Sequence, residues 1–201
     1  MEVTLVDSPV ANTANIARAL RAAGAEVRLT RDAAAIARAS KLVLPGVGSF
    51  RAAMSWLSAY MIDAALRDAV SHGASLLGVC VGHQLLFESS DEMGTTAGIG
   101  LLRGRVRKFE STLPVPQIGW NRVRFAANPL FDGIDSETPF YFVNSYAASG
   151  AEAEIATSTY GAPFTAAVGQ GKIFGVQFHP EKSSIAGLRV LRNFVERVQW
   201  K

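Results

Sequence analysis

The first half of the chain alternates short apolar runs with segments of helical periodicity. Apolar runs that predict buried strands occur at residues 2–6, 27–29, 41–44 and 75–79. Segments that predict helices lie between or after these strands. They are residues 12–23, a short segment that begins at residue 32, residues 50–72 in two pieces, and residues 81–88. In the first helix Ile16, Ala19, Leu20 and Ala23 share one face, and Gly24 ends it. This alternation predicts a mostly parallel sheet covered on both faces.

The second half changes to strand patterns. Runs that predict strands occur at residues 101–109, 119–125, 140–147, 154–159, 164–168 and 173–178. Gln170-Gly171 predicts a hairpin turn between the last two, and residues 185–198 predict a closing helix. No repeat or linker interrupts the chain. We therefore expect one α/β domain over residues 1–201, a mostly parallel central sheet flanked by helices with an antiparallel strand extension.

Composition and charge narrow the class of protein. Hydrophobic residues make up 49% of the 201 residues and charged residues 18%, which is typical of a folded globular chain. The net charge of +3 is too small to indicate a nucleic-acid partner. The basic residues Arg103, Arg105, Arg107 and Lys108 alternate along a predicted strand, which favours a solvated strand face over a phosphate-binding patch.

The chain shows no sign of a membrane or secretory role. Its first residues lack the basic and long apolar regions of a signal peptide, and no apolar run approaches the ~18 residues of a membrane span. A single cysteine cannot form a disulfide within the chain. We expect a cytoplasmic protein.

That single cysteine, Cys80, lies in the most informative segment. Residues 76–86 read Leu-Leu-Gly-Val-Cys-Val-Gly-His-Gln-Leu-Leu, so Gly-x-Cys-x-Gly joins a predicted strand to a predicted helix. Such an elbow projects the central side chain at the carboxyl edge of a sheet, and the helix N-terminus favours a thiolate. A lone cysteine is more often a buried apolar residue. The flanking glycines favour a nucleophile.

His179 and Glu181 are the candidates for the base and its orienting partner. They follow a predicted strand in the sequence Gln-Phe-His-Pro-Glu, and Pro180 prevents the strand from continuing. A carboxylate two residues away can accept a hydrogen bond from one imidazole nitrogen and leave the other for the thiol. The alternative, a histidine at a strand end followed by a surface glutamate, is weakened by the cysteine elbow.

The two other histidines are weaker candidates. His72 precedes Gly73 at a predicted helix end, typical of a solvated cation. His83 is three residues from Cys80, and on the elbow helix it is expected to point away from the thiol. With three histidines and one cysteine so arranged, no metal site is expected, and the chemistry requires no cofactor.

An oxyanion hole is expected beside the nucleophile. Residues 44–50 read Leu-Pro-Gly-Val-Gly-Ser-Phe after a predicted strand. The backbone amides of Gly46, Val47 and Gly48, with that of Val81, are candidates for its donors. By itself the segment favours an ordinary strand-to-helix loop.

These motifs, in this order, resemble the class I glutamine amidotransferases along essentially the whole chain. Within them, Gly119-Trp120-Asn121, residues 141–146 and residues 180–183 resemble the glutaminase subunits of imidazole glycerol phosphate synthase, which serve histidine biosynthesis. The resemblance implies hydrolysis of glutamine through a cysteinyl thioester. It also implies a heterodimer with a barrel-shaped cyclase subunit that receives the ammonia.

The resemblance also implies further site residues. Glutamine would be held by Gln84, Glu92, Ser145 and Tyr146. The surface that faces the cyclase would include Trp120, Asn121 and Lys182. Three positions depart from the commonest pattern of the subfamily, with His83 in place of methionine and Gln117 and Asn144 in place of histidine.

Alternative functions remain open from the sequence. The glutaminase could serve another ammonia-using synthase. A stand-alone cysteine hydrolase on a similar sheet would need Cys80 but not glutamine, and a non-catalytic binding subunit would keep the elbow only as a scaffold.

Overall fold

The fold is described from a computed structural model, which describes residues 1–9 and 11–198. The elements of the first half follow the predicted alternation. They are β1 (Glu2–Val6), α1 (Thr13–Ala22), β2 (Glu26–Thr30), α2 (Ala33–Ala37), β3 (Lys41–Gly46), α3 (Phe50–Ala59), α4 (Ile62–Ser71), β4 (Ser75–Cys80) and α5 (Val81–Leu85).

The second half consists mostly of strands and ends in a long helix. Its elements are β5 (Phe87–Ser90), β6 (Thr96–Ala97), β7 (Leu102–Lys108), β8 (Gln117–Arg122), β9 (Arg124–Phe125), β10 (Pro139–Asn144), β11 (Tyr146–Ala148), β12 (Glu154–Tyr160), β13 (Ala162–Gln170), β14 (Ile173–Val176) and α6 (Ser184–Glu196). Two 3-10 helices, Pro129–Phe131 and Pro180–Lys182, are also present.

The main sheet has eight strands in the order β2-β1-β3-β4-β14-β13-β12-β9. The first five are parallel to their neighbours, and β13, β12 and β9 continue the sheet in antiparallel fashion. This confirms the predicted fold class. The hairpin predicted at Gln170-Gly171 is also confirmed, because Gln170 pairs with Ile173 across it.

Burial and capping explain why these segments form these elements. Every residue of β3 and β4 is buried, as expected for central parallel strands covered on both faces. Helix α1 buries Ile16, Ala17 and Leu20, and the Asn12 side chain accepts a hydrogen bond from the Asn15 amide at its start. Gly24 follows the helix with a φ of +94°, a value that favours glycine.

The helix predicted after the cysteine is shorter in the structure. The helix predicted over residues 81–88 ends at Leu85, and Phe87 begins β5 of a second sheet ordered β11-β7-β5-β6. All residues of α5 are buried, so this helix has no solvated face to support a longer amphipathic form.

The strand predicted over residues 140–147 is interrupted at Ser145. Its first part, β10, pairs with β8 in a separate two-stranded sheet, and its second part, β11, pairs with β7. The strand predicted over residues 119–125 is divided in the same way at Val123. The exposed side chains of Arg103, Arg105 and Arg107 on β7 agree with a solvated strand face. Within the described residues no helix is long and apolar enough to cross a membrane.

Candidate active site

The site lies where three adjacent parallel strands end. In the register of the main sheet Gly46 of β3 is opposite Cys80 of β4, and Val79 is opposite Val176 of β14. Because the carboxyl ends of parallel strands share one edge, the loop after β3, the cysteine and the segment leading to His179 converge there.

Cys80 occupies a strained turn between β4 and α5. Its φ is +55° and its ψ −111°, a backbone conformation that residues with a side chain rarely adopt. A Cβ atom on Gly78 would lie 2.5 Å from the carbonyl oxygen of Gly82, and one on Gly82 would lie 1.9 Å from the carbonyl oxygen of Leu44. Both flanking positions therefore require glycine, which supports the predicted elbow.

The loop after β3 packs against the first turn of α5. A Cβ atom on Gly46 would lie 2.7 Å from the amide nitrogen of Gly82 and 2.9 Å from Cβ of Val81. Gly48 has a φ of +81°, and Val47 is 37% exposed. Val47, Gly48 and Val81 line one cavity together with Cys80, whereas Gly46 lies behind them against the elbow.

His179 and Glu181 form a buried pair at the same edge. Nδ1 of His179 lies 2.8 Å from Oε1 of Glu181, and their side chains are 5% and 3% exposed. The backbone of His179 is also held, since its amide donates to the carbonyl of Tyr141 at 2.8 Å and its carbonyl accepts from Oγ of Ser183 at 2.7 Å. One ring nitrogen and the backbone of His179 are thereby held in place.

The surroundings of His179 favour its charged form. Burial lowers the pKa of this imidazole, but hydrogen bonds and charge interactions with Cys80 and Glu181 outweigh burial and raise the pKa to about 10. His179 is therefore an imidazolium at neutral pH, next to the thiol of Cys80. A positive charge in this place favours the thiolate.

His83 is in a different environment. It is fully buried, its ring packs edge-on against Phe87 at 5.3 Å between centroids, and neither ring nitrogen has a hydrogen-bond partner. Burial lowers its pKa to about 3, so the ring is neutral. A Cβ atom on Gly175 would lie 2.4 Å from its Nδ1, so the ring fills the space above that glycine and lies outside the lining of the cavity. His72 is exposed at the end of α4, where Nδ1 lies 2.9 Å from the carbonyl oxygen of Asp68.

The cavity beside Cys80 has a volume of about 320 Å³. All four residues predicted to bind glutamine line it, namely Gln84, Glu92, Ser145 and Tyr146. Oε2 of Glu92 accepts a hydrogen bond of 2.6 Å from the amide of Phe50, at the start of α3. Among the described residues no group of three or more histidine, cysteine, aspartate or glutamate side chains is placed to hold a metal ion.

Of the residues predicted to face a partner, Lys182 lines this cavity and Trp120 is connected to it through Tyr141. Trp120 on β8 is 55% exposed, and its ring lies 6.1 Å from that of Tyr141 on β10. The ammonium of Lys182 lies 5.6 Å from the Tyr141 ring centroid, and Lys182 also lines the cavity. Asn121 is half-buried and donates to the carbonyl of Thr159 at 2.8 Å. Trp120, Tyr141 and Lys182 thus form a row from the surface to the cavity, here called the aromatic row.

Sequence reasoning missed Tyr141 and Gln177. Tyr141 connects the aromatic row to the backbone of His179. Gln177 is fully buried, and its Nε2 lies 3.9 Å from Sγ of Cys80. Strand alternation could have identified Gln177, because it lies two residues before His179 and so shares its face.

Two of the three departures from the subfamily pattern lie directly opposite each other. Gln117 of β8 pairs with Asn144 of β10, both are buried, and each has a side-chain oxygen without a hydrogen-bond partner. Sequence reasoning named both positions, but their contact required the register of the two-stranded sheet formed by β8 and β10.

Comparison with known proteins agrees with this geometry. A family model described as "Glutamine amidotransferase class-I" matches residues 4–198. Two curated relatives carry the name "Imidazole glycerol phosphate synthase subunit HisH". The one from Moorella thermoacetica is 44% identical, over 98% of this chain and 95% of the relative. The one from Haemophilus influenzae strain KW20 is 41% identical, over 98% of each chain.

Solved structures share the fold at lower identity. A crystal structure described as a glutamine amidotransferase has a TM-score of 0.77 at 20% identity and covers 98% of each chain. Another glutamine amidotransferase structure, from Thermotoga maritima, has a TM-score of 0.68 at 14% identity, over 98% of this chain and 97% of that one. Since the family model spans nearly all of the sequence, the chain belongs to the class-I glutamine amidotransferase family.

Proposed function

We propose that the protein is the glutaminase subunit of an imidazole glycerol phosphate synthase, with Cys80, His179 and Glu181 as its catalytic triad. The observation that carries the triad is the placement of Cys80, in a turn that only flanking glycines allow, beside a charged His179 held by Glu181. The names of relatives above 40% identity along nearly the full chain support the choice of synthase.

In the first half-reaction the Cys80 thiolate attacks the side-chain amide carbon of glutamine. The imidazolium of His179 donates its proton to the nitrogen as the carbon–nitrogen bond breaks, and ammonia leaves. A glutamyl thioester remains on Cys80. Neutral His179 then takes a proton from water, the hydroxide adds to the thioester, and glutamate and the thiolate are released. Glu181 holds the imidazole and stabilises its charged form throughout.

The oxyanion of each tetrahedral intermediate would be bound by the amide of Val81 and by an amide of the Gly46-Val47-Gly48 loop. The left-handed backbone of Gly48 and the exposure of Val47 support a loop that rotates a peptide group at low cost. Loss of one such donor reduces the rate about a hundredfold, or ~3 kcal/mol. A rotation that completes the hole only when partner and nucleotide bind would keep the isolated subunit slow.

Glutamine fits the cavity by size and charge. About 320 Å³ is at the lower end of small-molecule sites, as expected for one amino acid. The carboxylate of Glu92 complements an ammonium group. Both amide hydrogens of Gln84 are engaged by protein oxygens, so its Oε1 is the atom left for the ligand. Ser145 and Tyr146 complete the opposite wall.

The cyclase partner would dock on the aromatic row and on Asn121. The exposed apolar side chains of Ile118 and Trp120 on β8 suit a buried interface, and Lys182 joins this surface to the cavity. Ammonia released at Cys80 would pass into the barrel of the partner, where it would be used to form imidazole glycerol phosphate and an aminoimidazole carboxamide ribotide.

Co-purification with candidate synthases, followed by glutamine turnover with and without the cyclase and its nucleotide, tests this function. We expect stable association with the cyclase and at least a tenfold increase in turnover in the full complex. Equal turnover in both conditions would refute the coupling, and stimulation by another synthase would reassign the partner. Full activity of Cys80→Ala would refute the triad.

A further inference from the structure

A row of side-chain amides connects the wall of the cavity to the nucleophile. Nε2 of Gln84 donates to the carbonyl of Tyr146 at 2.8 Å and to Oε1 of Gln177 at 2.9 Å. Nε2 of Gln177 in turn lies 3.9 Å from Sγ of Cys80, within the range of a hydrogen bond to sulfur. Gln177 is completely buried, and Gln84 is 4% exposed. These contacts are therefore shielded from bulk water.

The direction of every hydrogen bond in this row is determined. A backbone carbonyl can only accept, so Gln84 must present its amino group to Tyr146. The second hydrogen of that group points at Gln177, so the side-chain oxygen of Gln177 must accept this hydrogen bond. The amino group of Gln177 is then left facing Cys80. Asn144 donates to the same Tyr146 carbonyl at 3.1 Å and holds this acceptor in place.

We propose that Gln177 is a further catalytic residue, which donates a hydrogen bond to the thiolate of Cys80 in a direction imposed by the Tyr146 carbonyl through Gln84. This inference rests on the proposed role of Cys80 as the nucleophile. A hydrogen bond to an anion favours the charged form and is stronger in a dry site than in water.

Gln177 performs a task that His179 cannot perform alone. His179 gives its proton to the departing ammonia and regains one only when it activates the water, so its charge changes during the cycle. Gln177 keeps its N–H through the whole cycle and stabilises the sulfur again when the thiolate leaves the acyl group. This contact is therefore available to the sulfur in both half-reactions.

The position of Gln177 separates catalysis from substrate binding. Gln84 lines the cavity, whereas Gln177 does not. Loss of the Gln177 amino group should therefore act mainly on kcat. The same substitution at Gln84 should raise KM more.

The test is the pH dependence of Cys80 alkylation by iodoacetamide in Gln177→Met, together with glutamine kinetics of the complex with its cyclase. We expect the midpoint pH of alkylation to rise by about one unit and kcat to fall about tenfold, with a smaller rise in KM than the same substitution at Gln84 produces. An unchanged midpoint would overturn the inference. Gln177→Glu keeps the oxygen for Gln84 but replaces the amino group with an acidic oxygen, so it should shift the midpoint at least as far and serves if Gln177→Met does not fold.

A matched control separates a catalytic from a structural effect. Asn193 is 1% exposed and donates two hydrogen bonds, to the carbonyls of Leu130 and Asp132. Asn193→Leu should lower stability but leave the alkylation midpoint unchanged. Activity that survives Cys80→Ala would refute the proposed triad. An unshifted midpoint pH of alkylation in the Gln177 variants would refute only the role of Gln177.

Discussion

Gln117 and Asn144 face each other across β8 and β10, and each has a buried oxygen without a donor. The Nδ2 of Asn144 is directed at the Tyr146 carbonyl, so its Oδ1 cannot be satisfied by turning the amide over. The site thus contains a pair of orphaned acceptors at two positions where the resemblance leads us to expect histidine, which can donate.

A histidine in place of Gln117 should leave neither of these two acceptors without a donor. Gln117→His places a ring N–H opposite Oδ1 of Asn144 and should raise the free energy of unfolding by about 1 kcal/mol. Urea denaturation of this variant, of Asn144→Ala and of the double variant measures the coupling. If Gln117→His stabilises the protein equally when residue 144 is alanine, the contact with Asn144 is not the cause.

The charged state of His179 should appear in the pH dependence of stability. Its pKa is raised from about 6.5 to about 10 on folding, so its stabilising contribution is fully present below pH 6.5 and is lost as the pH rises towards 10. The stability difference between wild type and His179→Gln should therefore shrink between pH 6.5 and pH 10. Glu181→Gln should bring this loss to lower pH, and a difference that is constant with pH would contradict the charge assignment.

His83 should have the opposite effect on the pH dependence of stability. Burial lowers its pKa to about 3, so in acid the unfolded chain binds a proton that the folded chain refuses. Stability should fall as the pH drops from about 6.5 towards 3, by at most ~1.4 kcal/mol per pH unit from this residue. His83→Met should remove this part of the slope in urea denaturation at pH 7, 5 and 4. A slope in His83→Met equal to that of the wild type would contradict this assignment.

The elbow should tolerate no side chain at Gly82. A Cβ atom there would lie 1.9 Å from the Leu44 carbonyl oxygen, so Gly82→Ala must displace β3 or α5. We expect a loss of more than 3 kcal/mol in urea denaturation and of nearly all glutamine turnover. Gly171→Ala is the matched control, because Gly171 has open space around it and a φ of +58°. That change should cost about 1 kcal/mol and leave turnover intact.

Trp120 should act in association and not in the basal reaction. It is 55% exposed on β8 and lies outside the cavity lining. Trp120→Ala should weaken binding of the cyclase by about 2 kcal/mol or more while leaving unstimulated glutamine turnover near the wild-type level. Titration calorimetry measures the binding. Leu29→Ala, which removes an exposed apolar side chain from the β2 edge of the main sheet, should leave the affinity unchanged.

The main sheet was predictable from the sequence because it depends on local patterns, and local patterns also singled out Cys80, His179 and Glu181. Gly78, Cys80 and Gly82 mark a strand-to-helix turn, and Pro180 ends the segment that carries His179. The division of the strand at Ser145 was not predictable, since residues 140–147 keep their strand pattern while their hydrogen-bond partners change from β8 to β7. The early end of α5 was missed for a similar reason: a fully buried helix has no polar face by which its length can be read.

The interruption of the strand at Ser145 also provides a junction at which protein engineering can exchange one segment of the chain for another. The strand before it belongs to the small sheet that carries Trp120, and the strand after it belongs to the sheet that joins the cavity wall. A graft that exchanges β8 and β10 would replace the surface offered to a partner, and it must keep β9 of the main sheet and the Tyr141 carbonyl that accepts from the His179 amide. Hybrid subunits that deliver ammonia to a different acceptor enzyme should therefore be joined at Ser145.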